Sequence, residues 1–119
     1  DASAEIEKYV ARLAWLSYQS ENWTKPRGEL IAKDHKYREL PAVKLTPYII
    51  TYAFELGLCK SGGMGAIKID WVDIAAWATL TDTQLSADDA KLLMLASKSY
   101  VFWQSKVKED TSPAPFQDD

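Results

Sequence analysis

Phosphate chemistry calls for a glycine-rich loop, and Ser61-Gly62-Gly63-Met64-Gly65 is such a run. A phosphate loop also needs Lys followed by Ser or Thr after its last glycine, and a strand before it. Here Ala66 and Ile67 follow and a helical pattern precedes, so the run reads as a flexible connector. Paired carboxylates do acid–base or metal work, and Asp70 with Asp73 and Asp88 with Asp89 stand close in sequence. All four fall at helix starts, where Asp is favoured as a cap or by the helix dipole without any chemistry. His35 and Cys59 are the single histidine and the single cysteine. One of each excludes an internal disulfide and a Cys- or His-rich metal cluster. A Cys59–His35 nucleophile pair would need the fold to bring the two together, and no nucleophile signature surrounds Cys59. The expectation is a chain that is not an enzyme and has no catalytic residue, cofactor or metal.

The aromatic content is the outlier: five Trp, six Tyr and three Phe make 12% of the chain. Large rings fill the core of a small domain. They also make the hot spots of protein–protein interfaces. Trp15, Trp23, Tyr37, Trp103 and Phe116 are the candidates for partner binding.

Composition bounds the class. With 119 residues, 47% hydrophobic and 26% charged, the chain is long enough for one core and is neither fibrous nor wholly disordered. No apolar run approaches the roughly 20 residues of a membrane helix. The net charge of -3 is uneven. Residues 1–45 hold eight basic and seven acidic side chains, and residues 46–109 hold six and seven. The tail 110–119 has Asp110, Asp118 and Asp119 with no base. A near-neutral body offers no long-range pull on a phosphate backbone, so nucleic-acid binding is not expected. The densest basic stretch, Lys33 to Arg38, is interrupted by Asp34. Asp1 to Glu5 is acidic and lacks the apolar core of a signal peptide. The lone Cys59 fits a reducing compartment. The first residue is not Met, which leaves open processing or excision from a longer product.

The elements that must position these groups are helical. Over residues 4–20, Ile6, Tyr9, Val10, Leu13, Leu16 and Ser17 share one helix face, with Asp1 or Ser3 as cap and Trp15 pointing the other way. Residues 21–45 are irregular, punctuated by Asn22, Pro26, Gly28 and Pro41, with a short helix somewhere in 29–38. A stretch of this length leaves open whether it orders alone or only against a partner or a second subunit. Thr46-Pro47 opens a second helix, 47–57, with Ile49, Tyr52, Ala53 and Leu56 inward and Gly57 ending it. Residues 66–69 are short and extended. Asp70 caps a third helix, 71–81, with Ile69 and Ile74 as a hydrophobic staple and Ile74, Trp77 and Ala78 facing in. Ser86 caps the last helix, to about residue 108, with Leu92, Leu93, Ala96, Tyr100, Trp103 and Val107 as its stripe. Pro113 and Pro115 forbid helix beyond it. The expected fold is all-α: a single helical domain over 1–109, a bundle of about four helices. The irregular 21–45 segment interrupts it, and a disordered, extended acidic tail follows over 110–119. Deleting that tail is expected to leave folding intact.

Residues 41–116 also carry a recognisable order. Leu45-Thr46-Pro47-Tyr48 is followed by Tyr52-Ala-Phe54-Glu-Leu56-Gly57 and the glycine loop. Then come Ile69-Asp70-Trp71-Val-Asp-Ile74-Ala-Ala-Trp77, Leu80-Thr81 and Leu85-Ser86. Leu92…Leu95-Ala-Ser97…Tyr100-Val101 and Pro113-Ala-Pro115-Phe116 close the block. This resembles small proteins encoded in the tail-morphogenesis region of tailed phages and prophages, among them tail assembly chaperones and accessory tail proteins. The motifs are structural rather than catalytic, and residues 1–40 lie outside them. The resemblance implies an all-α, non-enzymatic partner of phage tail proteins or of the tape-measure protein, acting in the cytoplasm of the bacterial host. A structural virion component, such as a minor tail or connector protein, is the alternative. A phage-encoded inhibitor of a host protein is the third reading.

Overall fold

The computed structural model describes residues 1–117. Five helices and one small hairpin follow the order α1 (Ala2–Ser17), α2 (Arg27–Leu30), α3 (Pro47–Leu56), β1 (Lys60–Gly62), β2 (Gly65–Ile67), α4 (Trp71–Leu80) and α5 (Ala87–Lys106). The molecule is mostly helical but not a plain four-helix bundle. Residues 60–67 form an antiparallel pair, Lys60 opposite Ile67 and Gly62 opposite Gly65. The run 61–65, expected as a flexible connector, is the turn and flanks of this pair, and the extended run expected over 66–69 begins in the pair's second strand. Gly65 closes its turn at φ +122°, a conformation that side-chain-bearing residues rarely adopt.

Local chemistry explains the helix starts. Asp1 accepts the Ala4 N–H at 2.8 Å. Asp70 and Ser86 each build a full capping box, with Asp73 and Asp89 reaching back to the cap N–H. Thr46 stands at the N-cap position of α3, but its hydroxyl caps nothing and is buried without a partner. The chain there is held instead by Glu5, whose Oε1 accepts the N–H groups of Lys44 and Leu45, both at 3.0 Å. Gly57 ends α3 at φ +105°, and its N–H reaches the Ala53 carbonyl.

Two apolar clusters hold the elements together. The larger joins Ile6 and Val10 of α1, Ile49 and Ala53 of α3, Ile69, Ile74 of α4, and Leu93 and Ala96 of α5. Within it Ser97 is fully buried, accepting the Ile69 N–H at 2.9 Å and donating to the Leu58 carbonyl at 2.6 Å. One hydroxyl thus ties both flanks of the hairpin to α5. The smaller cluster joins Ala14, Trp15, Val107 and Ala114. It rotates the buried face of α1: Ala11, Ala14 and Trp15 are buried, whereas Leu13 and Leu16 are half-buried and Ser17 is exposed.

One open point is answered and one expectation is corrected. The 21–45 segment orders within the chain itself, because arginine side chains tie it to α1 and to itself. Arg27 donates to the Trp15 carbonyl at 2.8 Å, Arg12 to that of Glu39 at 2.8 Å, and Arg38 to that of Ile31 at 3.0 Å. The C-terminal segment is not a disordered extension through residue 116. Trp15 Nε1 donates to the Ser112 carbonyl at 2.8 Å, Ala114 and Pro115 are buried, and Phe116 meets Trp103. Asp118 and Asp119, the acidic end of the expected tail, lie outside the described residues.

Candidate functional site

The five aromatic candidates fall in two places. Trp15 is buried in the fold, and Trp23 and Tyr37 are half-buried against arginines. Arg27, only 4% exposed, has its guanidinium 4.9 Å from the centroids of Trp15 and Tyr18 and 5.3 Å from that of Trp23. It donates through Nη1 to Trp15 O and through Nη2 to Glu109 O, each at 2.8 Å. One planar fork therefore clasps α1, the irregular segment and the chain after α5, with aromatic faces on its remaining sides. Burial lowers the Arg27 pKa from its usual value. Asp110 stands nearby, and hydrogen bonds from Ser20, Asn22 and Tyr18, with the Arg27 charge, lower its pKa in that order. Tyr37 sits under Arg12, whose guanidinium is 4.7 Å from the ring centroid.

Trp103 and Phe116 lie together at the surface. Their ring centroids are 5.5 Å apart, and Phe102 meets Trp103 edge-on at 5.4 Å. Phe102 is 51% exposed and Phe116 39% exposed. They border a groove of about 250 Å³ lined also by Glu7, Leu95, Lys98 and Ser99. Leu95, Lys98, Ser99 and Phe102 recur at helical spacing, so one face of α5 forms the groove floor. Phe116 has φ +53°, a left-handed conformation that is costly for a bulky side chain. Its ring is held on Trp103 by the docking of Ala114 and Pro115 just before it. Sequence reasoning missed Phe102, which lies beside the expected stripe of α5. It also missed Arg27, whose signal was the density of rings around it: Trp15, Tyr18 and Trp23.

The other chemical candidates have structural roles. Asp73 pairs with Lys60 of β1 at 2.8 Å while it caps α4, and Lys60 also approaches Asp70 at 3.8 Å. Those contacts lower the Asp73 pKa and raise that of Lys60. His35 Nδ1 accepts the Tyr37 N–H at 3.0 Å, and its ring lies beside Trp15. Among the described residues, no group of three or more His, Cys, Asp or Glu is placed to hold a metal ion. No helix among them is long and apolar enough to cross a membrane. Comparison with protein-family models, with curated proteins and with solved structures finds no match to this chain.

Proposed function

We propose that this chain is a non-enzymatic assembly factor of a phage or prophage, acting by protein binding in tail morphogenesis in a chaperone-like role. The observation that carries the binding reading is the aromatic shelf of Phe102, Trp103 and Phe116, half open to solvent around its groove. Exposed rings over a pre-formed groove are the usual anchors of an interface, because they bury large area at little entropic cost. The groove runs along a helix face, which suits a partner helix laid against α5 by ridges-into-grooves packing. Lys98 and Glu7 on its rim supply one charge of each sign, enough to fix the register of a partner. The tail-region resemblance of residues 41–116 supports an amphipathic helix of a tail subunit or of the tape-measure protein as that partner. The work is done in the cytoplasm of the bacterial host.

The test is a pull-down of tagged chain from the host during phage production, with mass spectrometry of the bound fraction and of purified particles. A tail or tape-measure protein in the bound fraction, lost on Phe102→Ala, with the chain absent from particles, is the expected result. Presence in particles at fixed copy number would make it a structural component. A host enzyme as sole partner would make it an inhibitor.

A further inference from the structure

The helix α4 presents an unusual surface. Its sequence is apolar all round, with Asp73 its one charged residue, and Asp73 is engaged by Lys60. A helix of that composition is normally enclosed. Here Ile74 is the residue fully buried, with Asp73, Trp77 and Ala78 half-buried. The six exposed residues are Trp71, Val72, Ala75, Ala76, Thr79 and Leu80. Val72 is 75% exposed and Leu80 87%. They form a single uncharged stripe, because they repeat at i, i+1, i+4, i+5, i+8 and i+9. With all six exposed, no other described part of the chain covers this stripe.

We propose that the outward face of α4 is the interface of an antiparallel homodimer. The stripe is a palindrome in size about the midpoint between Ala75 and Ala76. A two-fold axis there sets Trp71 of one copy against Leu80 of the other, Val72 against Thr79, and Ala75 against Ala76. Bulky residues meet at both ends and small ones at the crossing, where two helix backbones must approach closely. An isologous interface requires this self-complementarity. Charge agrees with it. Lys68 precedes α4 and Asp82 follows it, both exposed and, among the described residues, neither in an ion pair. The same axis brings Lys68 of each copy to the end of the helix where Asp82 of the other stands, giving two reciprocal pairs. A partner unrelated in sequence would have no reason to match either pattern. The face is separate from the Phe102–Phe116 shelf, so the proposal does not depend on the function proposed above.

Sedimentation equilibrium of the purified full chain from about 1 μM to about 1 mM tests it. The face is short, about 15 Å of helix, so a dissociation constant in the micromolar range is expected. Val72→Glu, on an open position, is expected to keep the helical circular dichroism and to remain monomeric throughout. Lys68→Glu and Asp82→Lys are each expected to weaken the dimer about tenfold, and the two together to restore it. Phe102→Ala is expected to leave it unchanged. A chain monomeric at every concentration would overturn the proposal, and the face would then belong to a different protein. So would a dimer that survives Val72→Glu, or a charge-reversed pair that fails to recover.

Discussion

Replacing Arg27 by Ala should remove the clasp that joins α1, the irregular segment and the chain after α5. The guanidinium makes two hydrogen bonds to backbone carbonyls and lies over three rings. Charge-assisted hydrogen bonds contribute about 1.5–3 kcal/mol each, and a cation–ring contact about 0.5–2 kcal/mol. Against these stand the desolvation of a buried charge and about 2 kcal/mol of side-chain entropy. Truncation also leaves the Trp15 and Glu109 carbonyls without their donors. The net loss is therefore set at about 3–5 kcal/mol, the upper range for breaking a buried hydrogen-bond network. A domain of this size has about 5–15 kcal/mol in total, so the melting temperature should fall by about 10–20 °C. Arg27→Lys keeps the charge but cannot span both carbonyls with one planar fork, so about 2 kcal/mol should still be lost. Urea unfolding followed by tryptophan fluorescence gives both values, since Trp15 and Trp23 flank the site. A loss below about 1 kcal/mol for Arg27→Ala, or a wild-type midpoint for Arg27→Lys, would refute the reasoning.

Other outcomes follow from the same contacts. Ser97→Ala leaves the Ile69 N–H and the Leu58 carbonyl unpaired in the core and should cost about 2–3 kcal/mol by urea unfolding. Ending the chain after Glu109 removes the Ser112 carbonyl from Trp15 and uncovers the smaller cluster. Ordering entropy offsets much of that gain, so a loss of about 1–3 kcal/mol is expected, with a red shift of tryptophan emission. Acid should weaken the fold through Asp73 and Asp110, whose folded pKa values lie below the ordinary 3.8. The unfolded chain takes up those protons first as pH falls. Their contribution is thus complete above the ordinary value and is lost as pH drops through the lowered ones. Urea midpoints from about pH 5 to pH 2 should show that decline, and Asp110→Asn should make it shallower.

The parts of the fold legible in sequence were those governed by neighbours in the chain. Asp70 and Ser86 declare their helices because a cap needs only the next three residues, and Pro47 and Gly57 bracket α3 for equally local reasons. The hairpin hid because its strands are three residues each and its turn, Gly63-Met64, lacks the Asn-Gly or Asp-Gly signature. The C-terminal segment hid for a different reason. Two prolines correctly forbid helix, but what Ala114 and Pro115 do instead depends on Trp15, a hundred residues away. Arg27 is of the same kind: nothing at 26–28 announces that its guanidinium will bridge α1 to Glu109. Of the aromatic candidates, ring type alone separated none. Trp15 is buried under Arg27 and the returning chain, and Trp23 and Tyr37 are half-buried against arginines, whereas half-buried Trp103 meets exposed Phe116 and Phe102 beside a groove. Only tertiary structure makes that division, and only it adds Phe102.

The Phe102–Trp103–Phe116 shelf is proposed to hold a helix of a tail protein. A photo-crosslinking amino acid placed at position 102, and in a separate chain at exposed position 51 on α3, tests it in cells making phage. Crosslinks from position 102 to an identified tail or tape-measure protein are expected, and none from position 51. A tail protein that co-purifies with the chain but crosslinks equally from both positions, or from neither, would contradict it.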